Sequence, residues 1–382
     1  HSLSSSIGVE ILKKGGNAVD AAMAMAFVLP LCEPQSTGYF GDLFCIISQP
    51  NDEKFIGLNG SGKSPNHSNP EILKSNGYKK IPATNISSIT LPGAMKAFES
   101  LHNNFCKLDL YEICKPAITY AEQGVPVSPR VAFDWNYSIG NLKGVAKEFY
   151  TNNGASYKIG ELFKAPQQAK VLREFAKNGA KGFYEGEVAN DLISSLNKLG
   201  GAHTHDDLKN VSFEYVDPIT INFDKHALVE LPPNGQGVTA FLIKKMLDRL
   251  NIRNFDPPSA KRVHLEAEVV KIAYNIRNKY IGDTNFYDFE LKHFCSDEFI
   301  EKYLNQIDFN KANNEINTNW ENHHKDTVYL TVIDKNRQMV SLIFSIFNSF
   351  GSGYASEKFG LLFHNRGAGF TLENGYPNEL DG

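Results

Sequence analysis

Apolar residues at helical spacing predict that the chain begins with helices. Apolar positions within residues 7–12 predict a first helix that ends at the glycines of residues 15–16, with Ser4 or Ser5 as its N-terminal cap. Residues 17–29 predict a second helix, whose many alanines would let other elements pack closely against it. Further helices are predicted at residues 110–122, 238–250 and 263–278.

The tail of the chain changes to a period of two, which predicts strands. Residues 328–333 and 339–346 predict a hairpin that turns at residues 335–337. Shorter apolar runs predict further strands at residues 43–47, 55–58 and 228–231. Helices followed by strands predict an α+β or mixed fold built from packed layers.

The composition is that of a folded globular protein. The 382 residues are 42% hydrophobic and 21% charged, which is enough for a large core and excludes a disordered or fibrous chain. The net charge is −4 without a basic block, so nucleic-acid binding is not predicted. The longest apolar run, residues 21–32, contains Pro30 and is too short to span a membrane. The length suits one large domain or two closely packed ones, and no linker marks a boundary.

One segment matches a phosphate-binding pattern. Residues 57–64 (GLNGSGKS) satisfy GxxxxGK[ST], in which a helix begins at the lysine and directs its N–H groups at phosphate. Pro65 and Pro70 follow directly here, so we do not expect that helix. We interpret the segment as a glycine-rich loop, with a nucleotide site around Lys63 as the alternative.

Two histidine clusters, at residues 203–205 and 323–324, raise the question of a metal site. Metal ligands must converge on one point, and spacing along the chain does not show that they do. The spacing of Thr204 and Asp207 is typical of a helix N-terminal cap instead. We therefore predict no metal site.

A threonine precedes the predicted strand at residues 328–333. Thr327 follows Asp326, and a threonine in this position is by itself an ordinary strand former. It becomes a nucleophile when a base lies near its hydroxyl, and a free amine on the same residue supplies such a base. Its chemical role therefore depends on the motifs that surround it.

Several motifs occur in a fixed order along nearly the whole chain. They are residues 15–22 (GGNAVDAA), 33–38 (EPQSTG), 91–94 (LPGA), 182–186 (GFYEG), 230–237 (ELPPNGQG), 326–334 (DTVYLTVID) and 350–353 (FGSG). As an ordered set they resemble the γ-glutamyltranspeptidase family of the N-terminal-nucleophile hydrolase superfamily. The resemblance implies a four-layer αββα sandwich and a precursor that cleaves itself immediately before Thr327.

The resemblance also implies how the chain is divided. Residues 1–326 would form the large-subunit region, and residues 327–382 would begin the small-subunit region. The family's serine pair for the substrate carboxylate and its glycine pair for the oxyanion would lie beyond residue 382. We therefore expect a sandwich that is incomplete at its C-terminal end, in a fragment or a truncated relative.

The chemistry that the resemblance implies is acyl transfer through a threonine. In the precursor, Thr327 would attack the carbonyl of Asp326, and hydrolysis of the resulting ester would free its amine. Ser345 falls where the family places a hydroxyl that hydrogen-bonds the nucleophile. The implied partners are a small γ-glutamyl or related acyl amide and the cleaved small subunit, with no cofactor. The alternative is a catalytically silent member that acts as a binding or scaffold protein.

The chain also departs from the family at the substrate-binding positions. Lys63 is nearest to where the family uses an arginine for the α-carboxylate, and Phe347 replaces an asparagine near the nucleophile. Arg366 lies in residues 365–370 (NRGAGF), a segment that resembles the acylase-like branch. We predict that Arg366 holds the distal carboxylate of a dicarboxylic acyl group while Phe347 packs on its methylenes. The alternative is a structural role for Arg366.

Overall fold

The computed structural model describes residues 1–314 and 327–380, which separate into two units. The first unit contains residues 1–215 and 327–372, and the second contains residues 216–314 and 373–380. The sequence showed no linker at this boundary, because the boundary falls inside a short strand rather than in a glycine- or proline-rich segment. Asp326 and the histidines of residues 323–324 lie outside the described residues.

The elements follow the chain in a mostly helical order. The helices are α1 (Ser2–Lys13), α2 (Ala18–Cys32), α3 (Glu71–Ser75), α4 (Ala94–Phe105), α5 (Leu110–Gln123), α6 (Pro129–Ser138), α7 (Ala146–Tyr150), α8 (Pro166–Asn178), α9 (Lys181–Tyr184), α10 (Gly186–Lys198), α11 (His205–Lys209), α12 (Gly237–Arg249), α13 (Ala260–Tyr280), α14 (Leu291–Phe294) and α15 (Asp297–Leu304). The strands are β1 (Asp42–Ser48), β2 (Phe55–Gly60), β3 (Val125–Pro126), β4 (Leu162–Phe163), β5 (Glu214–Val216), β6 (Ile219–Phe223), β7 (His226–Glu230), β8 (Val328–Ile333) and β9 (Met339–Ser345). Short 3-10 turns lie at Ile86–Ser88, Ile139–Asn141, Ile252–Asn254 and Arg366–Gly369.

A five-stranded sheet in the order β5-β2-β1-β9-β8 is the centre of the first unit. The central strand β1 pairs antiparallel with β2 and β9, and β9 pairs antiparallel with β8. The predicted hairpin of residues 328–333 and 339–346 is therefore confirmed as β8 and β9. Side chains alternate along β8, so that Leu330 is buried while Tyr329 and Ile333 are each 60% exposed.

Helices α2 and α4 pack on the buried face of this sheet. Phe98 of α4 lies edge-on to Phe344 of β9, with ring centroids 5.2 Å apart, and contacts Phe27 of α2 at 4.8 Å. All three rings are fully buried, and burial of one such side chain stabilises a fold by about 1.5–3 kcal/mol. These aromatic contacts hold the strands that carry the candidate site against the helical layer.

Helix α2 is buried at every position, which its high alanine content permits. Asn17 caps its N-terminus, and the Asp20 carboxylate completes a capping box by accepting from the Asn17 N–H at 2.7 Å. The same carboxylate also accepts from the backbone N–H groups of Lys107 and Leu108. Asp20 therefore joins the start of α2 to the chain that follows α4.

Some local predictions were wrong for identifiable reasons. The cap of α1 is His1 rather than Ser4 or Ser5, because the Ser4 hydroxyl is buried and donates to the Met25 carbonyl oxygen instead. Strand β6 was not predicted, because its alternation of apolar and polar residues (ITINF) extends over only five positions. It pairs antiparallel with β7 in the second unit, whose apolar core comes mainly from α12, α13 and α15. In the described part of the chain, no helix combines the length and apolarity needed to cross a bilayer.

We expect the change Asp20→Ala to destabilise the first unit by about 3 kcal/mol, because it leaves buried N–H groups without an acceptor. Urea unfolding followed by the fluorescence of the buried Trp135 measures the change. The exposed acid of α1 provides the control, since Glu10→Ala should change the stability by less than about 0.5 kcal/mol. An unchanged urea midpoint for Asp20→Ala would contradict this account of α2.

Candidate active site

One end of the five-stranded sheet brings the predicted nucleophile next to its predicted partner. Ser345 ends β9 opposite Asp42, and Phe344 pairs with Val328, so Thr327 lies beside Ser345. The Thr327 Oγ1 and Ser345 Oγ atoms are 3.1 Å apart, within hydrogen-bonding distance. Thr327 is exposed and Ser345 is buried, so the pair lies at a surface that a substrate can reach.

The Ser345 hydroxyl is fixed by the chain that follows it. Its Oγ accepts a hydrogen bond from the Phe347 N–H at 3.0 Å. Phe347 has a φ of 79°, which is unfavourable for a bulky residue and bends the chain sharply after β9. The next residue, Asn348, donates its N–H to Asn365 Oδ1 at 3.0 Å, which holds the bend in place. The bend and its hydrogen bonds fix the Ser345 hydroxyl next to Thr327.

A carboxylate is fully buried at the same end of the sheet. Asp42 Oδ1 accepts from the Gly62 N–H at 3.0 Å, and Oδ2 lies 2.5 Å from Arg366 Nε and 3.2 Å from His364 Nδ1. Burial alone would raise the pKa of Asp42, but the charges and hydrogen bonds of His364 and Arg366 outweigh it and lower the pKa to about 2. Asp42 is therefore an ionised group that ties three chain segments together.

Arg366 lies between two aromatic rings. Its guanidinium carbon is 4.8 Å from the Phe347 ring centroid and 5.6 Å from that of Phe44, distances typical of cation–π contacts. With Nε on Asp42, the side chain remains 27% exposed. The structure thus places Arg366 and Phe347 together at the site, with Arg366 in an internal ion pair. The predicted contact of Arg366 with a substrate carboxylate stays a prediction.

Lys63 follows the glycine that contacts Asp42. A Cβ atom on Gly62 would lie 1.4 Å from the Leu91 carbonyl oxygen, so only glycine fits there. The Lys63 carbonyl accepts from the Leu91 N–H at 2.9 Å, which fixes the backbone while the side chain is exposed. Across the described ranges, the Lys63 side chain forms no hydrogen bond or ion pair.

The phosphate-loop pattern does not have the structure that phosphate binding requires. Strand β2 runs to Gly60, and Lys63 is followed by turns rather than by a helix; the next helix, α3, begins only at Glu71. The N–H groups of a helix start are therefore not available at Lys63. This geometry favours the glycine-rich loop over the nucleotide site.

The histidine segment has a structural explanation. Thr204 and Asp207 form the capping box of α11, as their spacing predicted. His203 is buried with Nε2 3.0 Å from the Ile89 carbonyl oxygen, and burial lowers its pKa to about 4. Within residues 1–314 and 327–380, no group of three His, Cys, Asp or Glu side chains is arranged to hold a metal ion.

The sequence analysis did not identify Asp42 or His364 as residues of this site. For Asp42, the sequence contains one indication, an acidic residue directly before the apolar run of residues 43–47. A charged side chain in a buried strand needs hydrogen-bond donors or an opposite charge nearby. His364 likewise follows the apolar residues 361–363, and its Nε2 lies 2.9 Å from the Thr90 carbonyl oxygen. Neither pattern indicates which distant segment supplies the partner.

Comparison with known proteins places the chain in a family. The γ-glutamyltranspeptidase family model matches residues 4–381. The glutathione hydrolase-like YwrD proenzyme of Bacillus subtilis (strain 168) is 30% identical over 387 residues, an alignment that covers 100% of this chain and 72% of that protein. The chain belongs to the γ-glutamyltranspeptidase family.

Two further relatives extend this assignment. A glutathione hydrolase proenzyme of the same Bacillus subtilis strain is 26% identical over 406 residues, covering 100% of this chain and 69% of the relative. The crystal structure of cephalosporin acylase from Bacillus halodurans superposes with a TM-score of 0.87 at 30% identity, covering 99% of this chain and 70% of that one. The superposition confirms the predicted α+β fold of the αββα N-terminal-nucleophile hydrolase type.

Acid should destabilise this family member partly through Asp42. Its folded-state pKa of about 2 lies below the ordinary value of 3.8, so the stabilisation is complete above about pH 5 and is lost as the pH falls through 2. We expect the free energy of unfolding to fall between these pH values by about 2 kcal/mol more in the unaltered protein than in Asp42→Asn. Urea titrations across this pH range measure the difference. The same dependence of the free energy of unfolding on pH in both proteins would contradict an ionised Asp42.

Proposed function

We propose that the protein is a self-processing amidase or acyltransferase in which Thr327 is the nucleophile. The observation that carries this proposal is the contact of Thr327 Oγ1 with Ser345 Oγ at 3.1 Å, on an exposed end of the central sheet. Membership of the γ-glutamyltranspeptidase family supports it, as do relatives whose names describe proenzymes. This proposal also divides the chain into processing regions 1–326 and 327–382.

The first step is self-cleavage. Thr327 Oγ1 attacks the carbonyl carbon of residue 326, the C–N bond breaks, and the hydroxyl proton ends on the departing Thr327 nitrogen. Water then hydrolyses the resulting ester, which leaves a carboxylate on Asp326 and returns the hydroxyl to Thr327. The buried Ser345 hydroxyl orients Thr327 Oγ1 for this attack, because the Phe347 N–H holds it in place.

The free amine of Thr327 then serves the second reaction. It accepts the hydroxyl proton as Oγ1 attacks the amide carbonyl of a substrate, and the proton passes to the departing amine. The acyl-enzyme ester is released when water or another amine attacks its carbonyl. No group outside the protein and its two substrates is needed to balance these steps.

The proposed substrate class is supported by the names of the relatives and by charged and apolar groups at the site. The names of the relatives include glutathione hydrolase and cephalosporin acylase, and we propose γ-glutamyl or related dicarboxylic acyl amides for this chain. Arg366 would bind the distal carboxylate, since a guanidinium forms a fork that lysine cannot form. Phe347, which stacks on Arg366, would pack on the methylenes, and the exposed Lys63 would add a second positive charge.

The change Thr327→Ala should abolish both self-cleavage and amidase activity, because it removes the attacking oxygen. We expect the unaltered full-length protein to separate into two pieces on a denaturing gel, with Thr327 at the N-terminus of the smaller piece. N-terminal sequencing identifies the cleaved bond.

Thr331→Ala is the matched control, since Thr331 lies on the exposed face of the same strand, β8. It should process and react like the unaltered protein. Cleavage at another bond, or activity that survives in Thr327→Ala, would reject the nucleophile. An unaltered protein that stays intact and inactive would favour the silent binding or scaffold role.

The change Arg366→Met should selectively weaken reaction with acidic acyl groups. Loss of a charge-assisted hydrogen-bonded pair costs about 1.5–3 kcal/mol, which is on the order of a tenfold to hundredfold fall in kcat/KM. The measurement compares glutaryl or γ-glutamyl anilides with a neutral acyl anilide on the full-length protein. Equal losses on both kinds of substrate would show that Arg366 supports the fold and does not select the substrate.

A further inference from the structure

The buried carboxylate of Asp42 takes no part in the proposed chemistry, yet it lies next to the residues proposed to carry it out. In the sheet register Asp42 is directly opposite Ser345, the partner of Thr327. Its two oxygens accept from donors in two other chain segments, the Gly62 N–H and the Arg366 Nε. Both segments carry a side chain proposed to contact the acyl group, so Asp42 is positioned to control where each of them lies.

The contact with Arg366 uses only part of the guanidinium. Asp42 Oδ2 accepts from Nε at 2.5 Å, while Phe44 and Phe347 restrict the plane of the group. The terminal nitrogens of Arg366 donate to no protein group within residues 1–314 and 327–380, and the side chain is 27% exposed. A guanidinium fixed in this manner presents its two terminal nitrogens as a single fork to a ligand carboxylate.

The energetics argue that Asp42 does more than stabilise the fold. A buried ion pair pays a large desolvation cost, and apolar residues of similar volume often stabilise a protein equally well or better. Asp42 begins a strand whose next five residues, 43–47, are apolar, so the acid is an exception in this strand. An ionised acid that accepts hydrogen bonds from Arg366 and Gly62 together therefore points to a role in orientation.

We propose that Asp42 is the positioning residue for acyl-group selection. It holds Arg366 so that the terminal nitrogens form a fork for the distal carboxylate of the acyl group, and through Gly62 it fixes the backbone that carries Lys63. This inference rests on the proposed function and deepens it. Asp42 itself does not touch the substrate.

The decisive variant is Asp42→Asn. The asparagine side chain has one oxygen that can accept a hydrogen bond, and its NH₂ group would face the donors that the second carboxylate oxygen of Asp42 accepts from. The probes are glutaryl p-nitroanilide and valeryl p-nitroanilide, an acidic and a neutral acyl group of equal chain length. We expect the ratio of their kcat/KM values to fall about tenfold in full-length Asp42→Asn, mainly through a higher KM for the acidic probe. An unchanged ratio would overturn the proposal.

A double-mutant cycle separates positioning from general loss of stability. If Asp42 acts through Arg366, the double variant Asp42→Asn, Arg366→Met should have the same ratio of acidic-probe to neutral-probe kcat/KM as Arg366→Met alone. A further fall of this ratio in the double variant, equal to the effect of Asp42→Asn, would overturn the proposal. Asp20→Asn is the matched control, since Asp20 is another fully buried carboxylate that accepts backbone N–H bonds at the start of α2. It should lower the stability and leave the ratio of the two probes unchanged.

A measurement without any change to Asp42 covers the case in which Asp42→Asn does not fold. The Arg366 Nε–H should give a slowly exchanging NMR signal, which is assigned by its loss in Arg366→Lys. Exchange at the rate of a solvent-exposed arginine would overturn the proposal. If the protein processes itself and cleaves valeryl p-nitroanilide but its Arg366 Nε–H exchanges rapidly, only the positioning role is refuted. If the protein neither processes itself nor cleaves this probe, the proposed function is refuted. The exchange rate of the Arg366 Nε–H still decides the role of Asp42 in that case.

Discussion

The burial of one ionised carboxylate constrains the arrangement of the whole candidate site. Asp42 has no exposed surface, and a charge in that position is tolerated only when donors satisfy its oxygens. Those donors are Gly62, His364 and Arg366, which come from two segments far apart in the chain. Because all three converge on one carboxylate, Asp42 connects the loop after β2 and the segment of residues 364–366 to the sheet.

The register of the sheet transmits this constraint to the nucleophile. Asp42 pairs with Ser345, and Ser345 lies beside Thr327 because β8 and β9 form a hairpin with a short turn. A shift of one residue in either pairing would turn every side chain of that strand to the opposite face. The buried rings of Phe98 and Phe344 oppose such a shift, so apolar packing and the buried charge specify the same alignment.

Local pattern predicted several of the elements but not the contacts between distant residues. The change to a period of two predicted β8 and β9 closely, and the spacing of Thr204 and Asp207 predicted the cap of α11. The roles assigned to Thr327 and Ser345 came from the ordered family motifs, since a threonine before a strand is not distinctive by itself. The ion pair of Asp42 with Arg366 joins residues 324 positions apart, and no local rule connects them.

The pairing of Arg366 with Asp42 also bears on how the site would discriminate among acyl groups. The buried acid compensates the guanidinium charge, so long-range attraction for an anionic substrate is weak near Arg366. Recognition of a distal carboxylate would then depend on the direction of short hydrogen bonds from the terminal nitrogens. The contacts with Phe44 and Phe347 restrict the directions in which those nitrogens can point. If Arg366 binds the acyl group as proposed, selection would therefore depend on the direction of these hydrogen bonds as well as on charge.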